Sequence, residues 1–358
     1  MDAAGRRGHI AEALRWSPHA PRSGWQGVSA GLGMALPLAV GFAIGDPQAG
    51  FAAAVGGLMM GAVPTERTLA AQLRDLAMAI APAAAAIAIT VAIPGPGAAE
   101  RVLVVVLCAI AALAGGVGRS MAVATYRFVL FFLIAVSVAG NVAHRVELFA
   151  PIAIGIGWGA LANVVFGSIA RALHPAEVAQ AEPAHPAPTL ARRLAHWRAT
   201  LTHLAGWQYA LRLAGCLAIA QACDAILPGR RLHWISLTVA LVMERGVEAL
   251  PIRATQRTVG TLLGVLAAGL VFGATLSAWA LVAVVFLLAA ARAIVRTRNY
   301  LAYTVVTTPL ILAILDAGKP PGIALLAERL LATLAGAALV IAANAVIRRL
   351  GRAPGPAP

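Results

Sequence analysis

The sequence has little charge, and acidic residues are especially scarce. Only 12% of the 358 residues are charged, and 14 acidic residues stand against 28 basic ones. An ordinary soluble domain is about 25% charged, so this composition excludes a typical soluble enzyme and a disordered chain. The apolar residues, 60% of the total, fall instead in runs of about 20 residues, the length that a helix needs to cross a bilayer.

The sequence also lacks the common motifs of catalysis and metal binding. The cysteines, Cys108, Cys216 and Cys223, form no CxxC pattern, and the histidines have no HExxH spacing. A phosphate-binding GxxxxGK[ST] loop is missing, which argues against an ATP-driven pump. The paired aspartates expected of a membrane transferase that acts on polyprenyl carriers are missing too. We therefore expect no metal, no cofactor and no enzymatic activity.

The apolar runs predict an all-α polytopic membrane protein with about 12 transmembrane helices. The predicted spans are residues 25–44, 49–63, 69–92, 101–118, 121–139, 148–171, 208–227, 232–244, 251–273, 276–294, 299–315 and 322–347. The runs at 49–63 and 232–244 are too short to cross a hydrocarbon core of about 30 Å by themselves. They must therefore extend into their flanks, tilt or stay partly buried.

Similar residues at a nearly constant separation predict that two six-helix halves repeat each other. The matched pairs are Trp25 with Trp207, Gln72 with Gln256, and Tyr126 with Tyr303. Six is an even number, so the two halves have the same orientation and form parallel repeats, an arrangement known among transporters. In this alignment Leu69 and Leu73 take the places of Arg253 and Arg257, so the first half lacks that basic face.

The predicted organisation follows from these spans and from one change in composition. Its parts are an N-tail (1–24), a first membrane repeat (25–171), a Pro/Ala-rich linker (172–206), a second membrane repeat (207–347) and a C-tail (348–358). Repeated prolines exclude a membrane-spanning helix in most of the linker. Its last stretch, from Leu190 to Leu204, predicts a short amphipathic helix.

The distribution of basic residues predicts the orientation in the membrane. All but six of the 28 basic residues lie on the same side as the N-terminus in this topology. The six on the opposite side are Arg101, Arg145, Arg230, Arg231, Lys319 and Arg329. Because basic residues are retained on the cytoplasmic side, both termini and the linker are expected in the cytoplasm. The net charge of +14 therefore reflects orientation, and we expect no nucleic-acid partner.

The densest polar cluster lies at the start of the ninth predicted span. Arg253, Gln256 and Arg257 are spaced i, i+3 and i+4, so they share one helix face. An arginine in lipid is costly, so this face is expected to point into the bundle or a wet cavity. Guanidinium groups bind carboxylates bidentately, which favours a small organic anion as ligand. The alternative is an anchoring belt on the cytoplasmic side, with Glu244 and Glu248 as ion-pair partners.

A second polar cluster precedes the eleventh predicted span. Its members are Arg292, Arg296, Arg298, Asn299, Tyr300 and Tyr303. They are either flanking positive charge or a surface of hydrogen-bonding and aromatic groups for a substrate. Pro309 follows inside the span, where it frees a backbone carbonyl; the helix is expected to break there and line a path, or merely to kink.

Intramembrane acidic residues and closely spaced glycines complete the candidate features. Asp75 and Glu244 are candidate proton carriers. The alternative for Asp75 is that it and Arg74 lie at the membrane interface, each paired with neighbouring residues. Glycine pairs four residues apart, such as Gly155 with Gly159, predict that helices approach each other closely.

Four motifs of the second half carry a resemblance to a known family. They are His233 to Val239 (HWISLTV), Arg253 to Gly264 (RATQRTVGTLLG), Arg298 to Tyr300 (RNY) and Thr308 to Leu310 (TPL). This half, about 207–347, resembles the FUSC family, the fusaric-acid-resistance and aromatic-acid exporter group of bacterial membrane proteins. The resemblance implies an efflux carrier of small, often aromatic, carboxylates. Many family members carry a large soluble cytoplasmic region, whereas this sequence has only the short linker there.

The residues and the resemblance together predict a proton-driven exporter of small organic acids in a bacterial inner membrane. The predicted substrate-binding residues are Arg253, Gln256, Arg257, Arg298, Asn299, Tyr300 and Tyr303. The expected partners are the organic anion and the lipid bilayer, with a second copy of the chain or a periplasmic adaptor as open possibilities. An anion channel, suggested by similar plant channels, and a non-transporting membrane scaffold remain alternatives.

Overall fold

The computed structural model describes an all-helical arrangement for most of the chain. The described residues are 16–17, 24–61, 63, 68–93, 95–140, 145–173, 189–227, 232–245, 250–272, 276–315 and 322–350. The helices are α1 (Gly24–Ala43), α2 (Pro47–Met60), α3 (Leu69–Ala92), α4 (Ala98–Ala114), α5 (Arg119–Ala139), α6 (Arg145–Leu173), α7 (Leu190–Leu201), α8 (Leu204–Ile226), α9 (His233–Val242), α10 (Leu250–Phe272), α11 (Ala278–Val295), α12 (Tyr300–Leu315) and α13 (Ile323–Leu350). A 3₁₀ turn at Gly115–Val117 extends α4, and no strand occurs among these residues.

Within the described ranges, 9 helices are long and apolar enough to cross a membrane. They are α1, α3, α4, α5, α6, α8, α10, α11 and α13. The predicted class of multi-pass helical membrane protein is thus confirmed, whereas the predicted count of about 12 spans is not. The difference lies in α2, α9 and α12, which have 14, 10 and 16 residues. At 1.5 Å per residue, α9 reaches only about 15 Å along its axis.

Local sequence explains where several helices begin. The Asp46 carboxylate accepts a hydrogen bond from the Ala49 N–H at 3.0 Å, and Pro47 occupies the first helical position of α2. Thr68 caps α3 in the same way, because its hydroxyl accepts from the Ala71 N–H at 3.2 Å. These residues satisfy N–H groups that have no partner within their own helix. Asp46 therefore serves as a helix cap.

The short helix α2 ends inside the protein, where a buried asparagine satisfies its last backbone groups. The Asn163 amide on α6 donates to the Gly61 carbonyl at 2.9 Å and accepts from the Val63 N–H, also at 2.9 Å. The end of α9 is satisfied by Arg212 on α8, which donates to the carbonyls of Glu244 at 3.3 Å and Arg245 at 3.1 Å. Backbone can leave the helical state at membrane depth only where such partners exist.

The two halves pack against each other in a reciprocal pattern. In the first half α1 packs on α2 and α6, and in the second half α8 packs on α9 and α13. Across the halves, α1 packs on α11 and α8 packs on α4, while α5 contacts α9 and α12 contacts α2. These contacts place the short helices α2 and α9 beside α5 and α12 near the centre of the protein.

The segment between the halves is described only in part. Helix α7 confirms the predicted short helix, and its Trp197 indole N–H donates to the Leu113 carbonyl at the end of α4 over 3.0 Å. The proline-rich part of the predicted linker, residues 174–188, lies outside the described residues.

A buried ion pair fastens three helices of the first half. Arg145 at the start of α6 lies 3.3 Å from the Glu100 carboxylate on α4, and each side chain is 9% exposed. The guanidinium also donates to the carbonyls of Thr90 at 2.7 Å and Ile93 at 3.1 Å, at the end of α3. Sequence reasoning counted Arg145 only as a flanking charge and did not predict this pairing.

We expect Glu100→Gln to lower the free energy of unfolding by about 3–5 kcal/mol, because it leaves the Arg145 charge buried without its counter-charge. The measurement is thermal or denaturant unfolding of the purified protein in detergent. Glu147→Gln is the matched control, since Glu147 lies exposed in the first turn of α6. Equal unfolding of the two variants would contradict a stabilising role for the pair.

Candidate functional site

A partly enclosed cavity lies between the two halves, and we call it the inner cavity. Helices α2 and α5 of the first half line it together with α9 to α13 of the second half. Its volume is about 90 Å³. A single water needs about 15 Å³ on this measure, so the inner cavity has room for several waters or for one small organic molecule.

The inner cavity is apolar in most of its lining but carries a concentrated positive charge. Arg257 from α10, Arg292 from α11 and Arg329 from α13 all line it, and no described lining residue is acidic. Arg257 and Arg329 are each 1% exposed. The Nε of Arg257 has no hydrogen-bond partner among the described residues. A buried cation of this kind is expensive, so the arrangement favours an anionic ligand.

A tyrosine adds a hydrogen-bonding group beside two of these arginines. The Arg292 guanidinium donates to the Tyr303 hydroxyl at 3.2 Å, and its carbon lies 5.4 Å from the centre of the Tyr303 ring. Because the hydroxyl oxygen accepts from Arg292, its own proton remains available to a carboxylate in the cavity. Tyr303 is followed along the cavity wall by Thr307, Ile311 and Leu315, one helical turn apart.

A second, more open cavity lies next to the inner one, and we call it the vestibule. Its volume is about 300 Å³. Its polar lining comprises Arg119, Thr125, Tyr126, Tyr209, Glu244, Arg245 and Arg253. The Arg245 guanidinium lies 4.6 Å from the centre of the Tyr209 ring. Cationic and aromatic groups together suit the weak capture of aromatic anions.

Three side chains stand at the boundary between the vestibule and the inner cavity. Arg253 forms an ion pair with Glu244, and its guanidinium carbon lies 4.3 Å from the centre of the Tyr300 ring. The Tyr300 hydroxyl donates to the Leu241 carbonyl at 3.2 Å. Leu241 lines the inner cavity, whereas Arg253 lines the vestibule. We call the three side chains Arg253, Glu244 and Tyr300 the boundary group.

The structure brings some of the predicted site residues together and leaves others apart. Arg257 and Tyr303 line the inner cavity, and Arg253 and Glu244 line the vestibule. Gln256, although close in sequence, is not among the residues that line either cavity. On α10 a residue one position from Arg257 faces a direction about 100° away.

Two further predicted binding residues take part in hydrogen bonds with the backbone, and their role in binding stays a prediction. The Asn299 side chain accepts a hydrogen bond from the Ala302 N–H at 2.9 Å and so caps α12. The Arg298 carbonyl accepts from the Ser17 N–H at 2.9 Å. Neither side chain lines the vestibule or the inner cavity.

The helix break predicted at Pro309 is not observed. Helix α12 runs continuously from Tyr300 to Leu315 with Pro309 inside it. The hydroxyls of Thr304, Thr307 and Thr308 each donate to the carbonyl four residues earlier, at 2.5–2.9 Å. Neighbouring Thr side chains of this kind help a membrane helix tolerate proline.

Asp75, one of the two predicted proton carriers, lies away from the cavities. Its carboxylate is 3.8 Å from Arg74 on the same helix, and the side chain is 34% exposed. It is not among the lining residues of the vestibule or the inner cavity. Its role in proton coupling stays a prediction. Glu248 falls outside the described residues.

Sequence reasoning missed the third arginine of the inner cavity and its aromatic neighbour. The Arg329 guanidinium carbon lies 3.4 Å from the centre of the Trp234 ring. The sequence analysis places Arg329 among the charges on the side opposite the N-terminus and gives Trp234 no role of its own. The available signal was an arginine six residues inside a long apolar helix, a position that marks function in membrane proteins by default.

The fold and the two cavities thus define a multi-pass helical membrane protein with a buried, cationic binding cavity. Residues 204–343 match the family model described as fusaric acid resistance protein-like. The match extends from α8 into α13 and contains Arg257, Arg292 and Arg329, and it confirms the resemblance found in the second half. No curated protein and no solved structure matches the chain.

Proposed function

We propose that the protein is a secondary transporter that exports small organic acids, chiefly aromatic carboxylates, across a bacterial inner membrane. The observation that carries this proposal is the inner cavity, where Arg257, Arg292 and Arg329 lie in an apolar enclosure without an acidic residue among its described lining. A carboxylate pairs with guanidinium groups such as those of Arg257 and Arg292, and an aromatic ring suits the apolar walls. The family match at 204–343 supports the same class of substrate.

In the proposed complex the carboxylate binds at the end of the inner cavity formed by α10, α11 and α12. Arg257 provides a guanidinium whose Nε has no hydrogen-bond partner in the described part of the chain, and Arg292 and Tyr303 lie beside it. Bidentate pairing with a guanidinium gives orientation as well as affinity. The ring of the substrate then lies against Leu58 and Leu237, which line the cavity from the two short helices.

The boundary group is proposed to control movement between the vestibule and the inner cavity. Glu244 forms an ion pair with the Arg253 guanidinium. An incoming carboxylate must therefore compete with Glu244 for that guanidinium. Displacement of Glu244 from this pair is therefore proposed to admit the anion to the inner cavity. Glu244 also stays our candidate proton carrier.

We propose that the two halves are parallel repeats and that α2, α9 and α12 complete the predicted 12 spans. The reciprocal packing of α1 on α11 and of α8 on α4 supports this. A matching close contact between helices also supports it: Gly155 approaches Ala53 in the first half, and Gly336 approaches Ile235 in the second. Gly155 and Gly336 are separated by nearly the same number of residues as Ala53 and Ile235. The buried residues Asn163 and Asn344 are separated by the same number of residues as Gly155 and Gly336.

This separation changes the alignment of one helix. When α3 is aligned with α10 at this separation, the buried residues Gln72 and Leu76 correspond to Arg253 and Arg257. The alignment made from the sequence had paired these arginines with Leu69 and Leu73, which are exposed. The first half thus offers an apolar residue where the second offers a cation. Binding of the anion is therefore assigned to the second half. From the distribution of basic residues, we also propose that both termini are cytoplasmic.

The test is uptake of radiolabelled carboxylates into inside-out vesicles that contain the protein, with and without an uncoupler. We expect accumulation of aromatic carboxylates that the uncoupler abolishes. Flux that follows the anion gradient and ignores the uncoupler would favour an anion channel. No flux of any carboxylate, with the folded protein present in the vesicles, would contradict transport and favour a membrane scaffold.

A further inference from the structure

The inner cavity has cationic groups at both of its ends. Helix α9 lines it from Trp234 to Leu241, a rise of about 10 Å. At the Trp234 end the Arg329 guanidinium lies against the indole ring, 3.4 Å from its centre. At the Leu241 end the Tyr300 hydroxyl reaches the Leu241 carbonyl, and Tyr303 stacks on Tyr300 with the ring centres 5.9 Å apart.

Arg257 belongs to the Leu241 end. Helices α10 and α12 are closely packed there, since a Cβ on Gly260 would lie 3.0 Å from the Leu301 carbonyl. Arg257 precedes Gly260 by almost one turn and so lies level with the start of α12. Arg292 reaches the same end through its hydrogen bond to Tyr303.

The part of the cavity between the two ends is apolar. Leu58, Ile134, Leu237 and Ile311 line it. Each end, by contrast, offers a hydrogen-bond donor that no described residue satisfies: Nε of Arg257 at one end and Nε1 of Trp234 at the other. Trp234 is 2% exposed, so its N–H has no access to bulk water.

We propose that the preferred substrate is a two-headed anion, an elongated dicarboxylate with a flat apolar spacer. One carboxylate binds Arg257 and Arg292 with the Tyr303 hydroxyl. The other binds Arg329 and accepts from the Trp234 indole N–H. This proposal rests on the proposed function and specifies its substrate further. Arg329 and Trp234 then determine specificity for the second acidic group.

Charge supports two acidic groups over one. The cavity lining holds three arginines and no acidic residue among those described. A monocarboxylate contacts only the Arg257 end, whereas an elongated dicarboxylate also contacts Arg329 and the Trp234 N–H, which no described residue satisfies. A second charge-assisted contact of this kind adds affinity.

The test measures binding of benzoate and of benzene-1,4-, -1,3- and -1,2-dicarboxylate to the purified protein in lipid nanodiscs by calorimetry. For the wild type we expect the 1,4-isomer to bind at least ten times more tightly than benzoate, and the 1,2-isomer, whose groups are adjacent, to show no such gain. In Arg329→Gln we expect the 1,4-isomer to lose its advantage, so that it binds no more tightly than benzoate. Arg74→Gln, on the exposed face of α3, is the charge-matched control.

Two results would overturn the proposal. One is a wild type that binds benzoate and the 1,4-isomer equally, which needs no variant and so does not depend on whether Arg329→Gln folds. The other is an equal loss of both ligands in a folded Arg329→Gln. In either case transport of monocarboxylates would leave the proposed function standing, whereas no binding and no flux of any carboxylate would contradict both.

Discussion

Replacing Arg257 by glutamine is expected to lower carboxylate transport about 10- to 100-fold at low substrate concentration. The substitution removes a charge-assisted hydrogen bond to the substrate, which contributes about 1.5–3 kcal/mol. Arg257 is 1% exposed and lines the inner cavity, so no nearby solvent replaces the lost group. The measurement is the initial rate of uptake into inside-out vesicles, normalised to the amount of folded protein.

The same variant is expected to be as thermally stable as the wild type, or more stable. Arg257 carries a buried charge whose Nε has no partner among the described residues, and its removal relieves a cost of desolvation. Stability without activity distinguishes a binding role from a structural one. Arg74→Gln is the control, because its side chain is 74% exposed. Unchanged transport by folded Arg257→Gln would contradict its assignment to the substrate.

Replacing Gly155 by alanine is expected to destabilise the protein by about 3 kcal/mol or more, or to prevent folding. A Cβ at this position would lie 1.8 Å from the Ala53 carbonyl oxygen on α2. Backbone atoms cannot rotate away as a flexible side chain can, so α2 and α6 would have to separate. The measurements are the yield of monodisperse protein in detergent and its melting temperature.

Gly157 provides a matched control on the same helix. A Cβ there would have no atom within 4 Å, and alanine is a better helix former than glycine. Gly157→Ala should therefore fold as well as the wild type. If the two alanine variants behaved alike, close packing of α2 on α6 would not be what stabilises this part of the fold.

Much of the candidate site could be predicted from local spacing. Arg253 and Arg257 lie one helical turn apart, and an arginine in lipid must find a polar or protein environment, so their inward direction follows from the sequence. For Asn299 the spacing did not separate two roles, because a polar residue before an apolar run suits a cap and a binding site equally; the structure shows the cap, and the role in binding stays a prediction. For Pro309 the sequence left a break and a kink open, because a proline residue does not reveal how neighbouring threonines support the helix.

The class of protein could be predicted from composition and run length, because runs of apolar residues long enough to cross a bilayer have few other stable forms. The family resemblance of the second half and one cationic helix face were also readable from the chain. What that face meets depends on how distant helices pack. Arg329 on α13 and Trp234 on α9 are far apart in the chain, and nothing in their local spacing predicts that they share a cavity with Arg257. Helix packing is a long-range property, and here the close approach of α9, α10 and α13 creates the buried positive charge that defines the site.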